Sequence, residues 1–191
     1  MKRISLALCA MLMAALALTG CLAKNEVHLL YDTSATKAVP LATAPRVVVV
    51  QFDDKRTDPN IGVRKDGTAF QTSSSVSSWV TQALADELAR QDMQVSVALS
   101  MAQAQVSQPD LIVGGTVDKV WLTEKNISSY QADIRVQTHV QRASQTMQTR
   151  TFTATQEKSG IPGAKLAEET LSGTLADVLS AAATSVAGAA R

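Results

Sequence analysis

One segment of the sequence alternates strictly between apolar and polar side chains over the length of a long strand. Within Tyr130–Arg142, the even-numbered positions from 132 to 140 carry Ala, Ile, Val, Thr and Val. The odd-numbered positions from 131 to 141 carry Gln, Asp, Arg, Gln, His and Gln. Because successive side chains of a β-strand point to opposite faces, this segment predicts a strand with one dry and one wet face. The fold must therefore contain a sheet that is covered on one side and open to water on the other.

Two further segments are expected to pair with this strand in an antiparallel meander. Leu111–Glu124 precedes it, and Met147–Lys158 follows it with alternating side chains. In the first of them the apolar side chains change parity between Val117 and Val120, which indicates a β-bulge near Asp118. The three segments together predict the larger part of one sheet.

Two segments have the spacing of amphipathic helices. Val76–Gln91 follows three serines that can cap it, and its apolar side chains form a stripe that Glu87 interrupts. Ala164–Val186 follows the break at Ile161-Pro162-Gly163 and returns to helical spacing. Each helix is expected to lay one apolar face on the sheet.

Shorter segments complete the architecture. Arg46–Phe52 is nearly continuous in β-branched residues, as expected of a strand that is covered on both faces or central in its sheet. Other patterns predict a first strand at Glu26–Tyr31, a hairpin over residues 61–72, a strand at Met93–Leu99 and a helical turn within Ser100–Gln108. The expected fold class is α/β (α+β): a two-layer sandwich of a mixed, mostly antiparallel sheet with two amphipathic helices on one face.

The N-terminal residues have the parts of an export signal. Basic residues precede the apolar run Ile4–Leu18, and two small residues follow it. The run is shorter than the about 20 apolar residues that a membrane-spanning helix needs. Cleavage before Cys21 would remove Cys9, the chain's one other cysteine, and would exclude an intramolecular disulfide. A single thiol without a nearby His is also a poor nucleophile or metal ligand.

Leu18-Thr19-Gly20-Cys21 resembles the lipobox of bacterial lipoproteins. That resemblance implies that the sulfur of Cys21 carries a diacylglycerol, that residues 1–20 are removed, and that the new amino terminus is acylated. Acyl chains contribute about 0.8 kcal/mol per buried methylene, so several chains make a stable anchor. Leu22 follows, rather than the Asp that retains such proteins at the inner membrane of enteric bacteria. The resemblance therefore implies an outer-membrane protein, lipid-anchored and facing the periplasm.

The expected organisation is a signal peptide at residues 1–20, a lipidated N-terminus and tether at 21–44, and a single periplasmic domain at 45–191. Residues 1–20 contain two of the 18 basic residues and none of the 17 acidic ones, so removal leaves 16 against 17, a net charge near −1. This balance gives no electrostatic reason to expect a nucleic-acid partner.

The loop after the strand Arg46–Phe52 is the strongest argument for an enzyme. Asp53, Asp54 and Asp58 could bind a cation there, because strand ends in α/β proteins are common ligand sites. Their spacing does not match a Ca²⁺-binding loop, however, and Lys55 and Arg56 lie among them. The sequence favours a solvated loop that pairs its own charges, and a cation-dependent hydrolase is the least favoured hypothesis.

Other candidate side chains favour structural roles. His28 and His139 have no Cys or spaced acidic pair beside them, so neither a zinc site nor a catalytic triad is expected. Gly114-Gly115 lacks the residues of a phosphate-binding loop and indicates a bulge or close packing instead. No catalytic residue, metal ligand or cofactor is therefore predicted.

The chain beyond Cys21 is similar to the YajG-type lipoproteins and, more distantly, to the auxiliary lipoproteins of ABC-type lipid transport systems. The resemblance rests on Val47–Phe52 followed by Asp54, Arg56 and Ile61-Gly62, on the helix sequence VSSWVTQALADELARQ, and on the strand QADIRVQTHV. It implies a periplasmic α/β domain on a lipid anchor, with no catalytic residues to carry over.

The sequence thus predicts a protein that is not an enzyme but binds partners in the cell envelope. The partner could be a protein, a lipid, peptidoglycan or another copy of the chain, bound at an exposed sheet edge. The alternative is an accessory subunit of a lipid transport system, with an apolar cleft between the helix layer and the sheet.

Overall fold

The computed structural model describes residues 25–31, 40–142 and 147–190 of the 191-residue chain. The predicted signal peptide and Cys21 lie outside the described residues. The elements are β1 Arg46–Val50, β2 Asp53–Asp54, β3 Gly62–Val63, β4 Ala69–Phe70, α1 Val76–Arg90, β5 Gln94–Ala98, α2 Met101–Val106, β6 Leu111–Asn126, β7 Ser129–Arg142, β8 Gln148–Ser159 and α3 Ala164–Ala190. Among the described helices, none has the length and apolarity that a membrane crossing requires.

The long strand β6 organises a single eight-stranded sheet. One of its edges pairs with β7, and β7 pairs with β8, both antiparallel. The other edge of β6 receives β1, β2 and β3 one after another, each parallel to it. Beyond these, β5 pairs parallel with β1, and β4 pairs antiparallel with β3. The sheet is therefore mixed and, by length of pairing, mostly antiparallel, as the sequence predicts.

The two local predictions for the meander are confirmed. The pairing of β6 with β7 shifts register between Val117 and Lys119, which is the bulge expected near Asp118. Even-numbered positions of β7 from 130 to 140 are buried, whereas its odd-numbered positions from 131 to 141 are half-buried or exposed. We call the side of the sheet that carries these odd-numbered side chains the wet face.

The main core lies between the dry face of the sheet and the helices α1 and α3. Ser75 caps α1, because its hydroxyl accepts from the backbone N–H of Ser78 at 3.2 Å. Fully buried side chains from both helices and from the sheet fill this layer, among them Leu84, Leu88, Ile134, Leu171, Leu175 and Leu179. The predicted two-layer sandwich is therefore confirmed.

A small second core lies on the opposite side of the sheet. The helix α2, expected only as a helical turn, covers β5, β1 and β6 there, and its Ala104 packs with Val48, Ala98 and Ile112. Since Val47 and Val49 of β1 lie in the main core, β1 is covered on both faces, as its β-branched sequence predicts.

The candidate first strand at Glu26–Tyr31 does not form. The structure has only a bridge between Glu26 and Gln71, and the chain then turns where the Leu30 N–H donates to the His28 carbonyl at 3.1 Å. The alternation of the sequence is nevertheless reflected in burial, because Val27 and Leu29 both enter the main core. The core of the domain therefore includes residues upstream of residue 45, which is the domain start that the sequence predicts.

Candidate functional site

The entry of the chain into the domain is fixed at Asn25. Its side-chain oxygen accepts from Arg64 Nη1 at 3.0 Å, and its backbone carbonyl accepts from the N–H of Gln71 at 2.9 Å. Cys21, the predicted lipidation residue, lies four residues upstream and outside the described residues. The structure therefore determines where a tether from Cys21 joins the folded domain.

The acidic loop after β1 is held together by its own charges. Arg56 binds Asp54 with two atoms, Nε at 2.9 Å from Oδ1 and Nη2 at 2.8 Å from Oδ2, and its Nη1 donates to the carbonyl of Asn60 at 3.2 Å. The hydrogen bonds from Arg56 hold the pKa of Asp54 below its usual value. Asp58 in turn accepts from the backbone N–H of Asn60 at 2.9 Å. The predicted pairing of charges within the loop is confirmed for Asp54 and Arg56.

This arrangement leaves little for a cation to bind. Asp54 and Asp58 use their oxygens to shape the loop, and Asp53 is exposed. In the part of the chain that the structure describes, no group of three or more His, Cys, Asp or Glu side chains is placed to hold a metal ion. The geometry thus gives no support to the cation-dependent hydrolase.

The two candidate histidines and the two tryptophans have structural surroundings. His139 lies on the wet face, where its Nδ1 is 2.9 Å from the hydroxyl of Thr149, and the backbone N–H of His28 donates to Glu168 at 3.1 Å. Trp79 is buried, with its indole N–H donating to the Leu30 carbonyl at 3.0 Å. Trp121 lies half-buried, opposite Asp133 of β7.

A groove of about 920 Å³ runs between α1, α3 and the segment that ends at Tyr31. The Tyr31 hydroxyl and Arg90 both donate to Glu87, and the Arg90 guanidinium lies 5.6 Å from the centre of the Tyr31 ring. Burial, followed by the hydrogen bond to Glu87, raises the pKa of Tyr31. This three-residue cluster explains why a glutamate interrupts the apolar stripe of α1. In the sequence, the position of Glu87 within this apolar stripe is the one sign of the cluster.

The two tyrosines of the chain, Tyr31 and Tyr130, are expected to resist ionisation in the folded protein. Burial raises both pKa values. A raised folded-state pKa contributes stability that is fully present below the unfolded value of about 10 and is lost as the pH rises through the folded value. Tyrosinate absorbance should therefore appear at higher pH in the native protein than in urea, and the urea midpoint should fall above about pH 10. Native and unfolded titration curves that coincide would contradict the packing of both rings, and Tyr31→Phe isolates the curve of Tyr130.

The groove does not lie between the helix layer and the sheet, which is the predicted place of a lipid-binding cleft. The α3 residues that line it are ones the helix does not bury, so it opens on the outer side of the helix layer. Among the described residues, the space between the helices and the sheet is occupied by the main core. Charged side chains also line the groove, including Glu87, Arg90, Lys158 and Lys165. The main core therefore fills the space between the helices and the sheet among the described residues, and the lipid-binding cleft stays a prediction.

The outer edge of β8 is the most regular exposed feature of the sheet. β8 pairs with β7 from Ser129↔Ser159 to Val140↔Gln148 without a register shift, and no described strand lies on its other edge. Its threonines at 149, 151, 153 and 155 are exposed on the wet face. On the dry face its side chains contact α3. For example, Arg150 Nη1 donates to the hydroxyl of Ser185 at 2.9 Å. A long edge without proline or bulge is a template for pairing with another strand.

Comparison with known proteins shows the fold and no family. No protein-family model matches the sequence, and no curated protein sequence matches it. A Xanthomonas campestris protein assigned to the family DUF330 has a similar structure, with a TM-score of 0.61 and 14% identity over 86% of this chain and 96% of that chain. A PelC variant from Paraburkholderia phytofirmans, solved as a dodecamer, has a TM-score of 0.50 and 14% identity over 76% of this chain and 93% of that chain. The chain therefore shares its fold with these bacterial proteins, whereas its resemblance to YajG-type lipoproteins remains a prediction.

Proposed function

We propose that this protein is an outer-membrane lipoprotein, anchored through Cys21, whose non-catalytic periplasmic domain binds another envelope protein along the edge of β8. The lipobox supports the anchor. The outer edge of β8, which no strand of the described residues covers, carries the binding proposal, because backbone N–H and C=O groups of an open edge can pair with a strand of a partner. In the loop that offered the best catalytic hypothesis, Asp54 and Asp58 use carboxylate oxygens to hold the loop's own structure, and Asp53 is exposed.

A second copy of the chain is the partner we favour. The structurally similar PelC variant is itself a dodecamer, which supports self-association on this fold. In the described part of the chain, β5 also ends the sheet without a further strand beside it, so β8 of one copy could pair with β5 of the next. Unlike edges that pair in this way produce rings or filaments rather than closed pairs.

Lysines on the wet face of β8 are expected to abolish this association. The double variant Thr151→Lys/Thr153→Lys places two positive charges along the edge strand. Natural sheets use charged side chains on edge strands in this way to prevent pairing with another strand. Native mass spectrometry of the full lipoprotein in detergent should detect a complex for the wild type and a monomer for the double variant. The matched control is Gln137→Lys, because Gln137 is the register partner of Thr151, one strand further in. That control should leave the complex intact.

The same spectra distinguish the alternative function. A lipid transport accessory subunit should carry bound phospholipid and no protein partner. Abundant phospholipid without a protein complex, or a complex that survives the two lysines, would contradict the proposed interface.

A further inference from the structure

The predicted anchor and the folded domain are separated by a very short piece of chain. Four residue steps join Cys21 to Asn25, and a fully extended chain spans at most about 3.3–3.6 Å per residue, so the reach is about 14 Å. The polar layer on each side of the hydrocarbon core of a bilayer is itself about 5–8 Å thick. If Cys21 is lipidated, as proposed above, Asn25 must therefore lie close to the membrane surface.

Two exposed isoleucines lie at this same end of the domain. Ile127, in the turn between β6 and β7, is 73% exposed, and Ile161, in the loop between β8 and α3, is 90% exposed. They flank a hydrogen-bonded pair, since the N–H of Gly160 donates to the carbonyl of Ser128 at 2.9 Å. Asn25 and Ile127 also line one pocket of about 410 Å³, together with Pro162. The tether and both isoleucines thus converge at one tip of the molecule.

The polar groups of this tip suit a phospholipid surface. Lys65 and Lys125 are exposed. Asp66, beside Lys65, is also exposed and accepts from the hydroxyl of Thr68 at 2.6 Å. Glu124 is occupied by Arg64, whose Nε lies 3.1 Å from its carboxylate. Exposed lysines of this kind favour anionic headgroups, and apolar side chains next to them can enter the interface between headgroups and acyl chains.

We propose that this tip rests on the membrane that holds the anchor and inserts Ile127 and Ile161 among the phospholipid headgroups. A bilayer is favoured over a protein partner because a tether of about 14 Å keeps the tip at the lipid surface whatever else the domain binds. The opposite end of β6, at Leu111, then lies up to about 50 Å from the tip, since a strand rises about 3.3 Å per residue. The domain would extend from the membrane and leave the edge of β8 accessible along its length.

Site-specific fluorescence tests this orientation. Cys9 leaves with the predicted signal peptide and Cys21 would be acylated, so Ile127→Cys or Ile161→Cys supplies the one free thiol of the mature lipoprotein. Each variant is labelled with a polarity-sensitive dye and reconstituted into vesicles of phosphatidylethanolamine and phosphatidylglycerol, with or without a doxyl-labelled phospholipid. Val106→Cys is the control, because Val106 is 84% exposed but lies in α2, which leads into the opposite end of β6.

Dyes at 127 and 161 should shift to the blue, gain emission several-fold on reconstitution and be quenched by the doxyl lipid, whereas the dye at 106 should do none of these. If the protein floats with the vesicles but all three dyes respond alike, the proposed orientation is wrong while the anchor stands. If the protein does not float with the vesicles, the anchor fails and the orientation fails with it.

Discussion

Alanine in place of Gly115 is expected to lower the free energy of unfolding by about 3 kcal/mol, the upper part of the range for overpacked cores. A Cβ at this position would lie 2.0 Å from the backbone oxygen of Gln137 and 2.6 Å from the ring of Phe52. Neither the Gln137 backbone nor the Phe52 ring can easily move away from the added Cβ. Gln137 belongs to the β6–β7 ladder, and Phe52 is 1% exposed, with its backbone N–H bonded to Thr81 of α1 at 3.0 Å.

The adjacent glycine is a matched control for this substitution. A Cβ on Gly114 would meet only the Cβ of Val50, at an ordinary contact distance of 3.5 Å. Because glycine loses more conformational freedom on folding than alanine, Gly114→Ala should be neutral or stabilising by up to about 1 kcal/mol. Urea unfolding followed by circular dichroism measures both effects. Equal losses at the two positions would contradict the close approach of β7 to Gly115.

Replacement of Cys21 by serine is expected to have the largest effect on the protein in the cell. A hydroxyl cannot take the place of the thiol that receives the diacylglycerol, so the variant should remain unlipidated and retain residues 1–20. Its domain should unfold at the same urea concentration as the wild type, because the first core residue in the described part of the chain is Val27. Membrane fractionation and mass spectrometry measure the change, with Ala23→Ser as the control. Recovery of the serine variant with lipid attached would refute the assignment.

Local patterns in the sequence predict the meander and both long helices well. The dry and wet sides of β7 follow from alternation alone, because burial on one face of a strand requires a period of two. The bulge near Asp118 follows from the parity change between Val117 and Val120. The close packing at Gly115 follows from a residue that lacks Cβ where a strand is expected.

Contacts between distant segments could not be predicted in the same way. Nothing in the short strands indicates that β1, β2 and β3 all join one edge of β6, since their pairing partners lie far along the chain. The bond between Tyr31 and Glu87 spans 56 residues, and only the interrupted stripe of α1 hinted at it. The tip could not be predicted from the sequence either. Ile127 and Ile161 are brought to the same end of the domain only by the pairing of β7 with β8.

The lipid on Cys21 is the central claim, and the intact mass of the wild-type protein purified from membranes in detergent tests it most directly. We expect a chain of residues 21–191 that carries a diacylglycerol on the sulfur of Cys21 and an acyl group on its amino terminus. A chain that still contains residues 1–20, or a mature chain with a free thiol at Cys21, would contradict it.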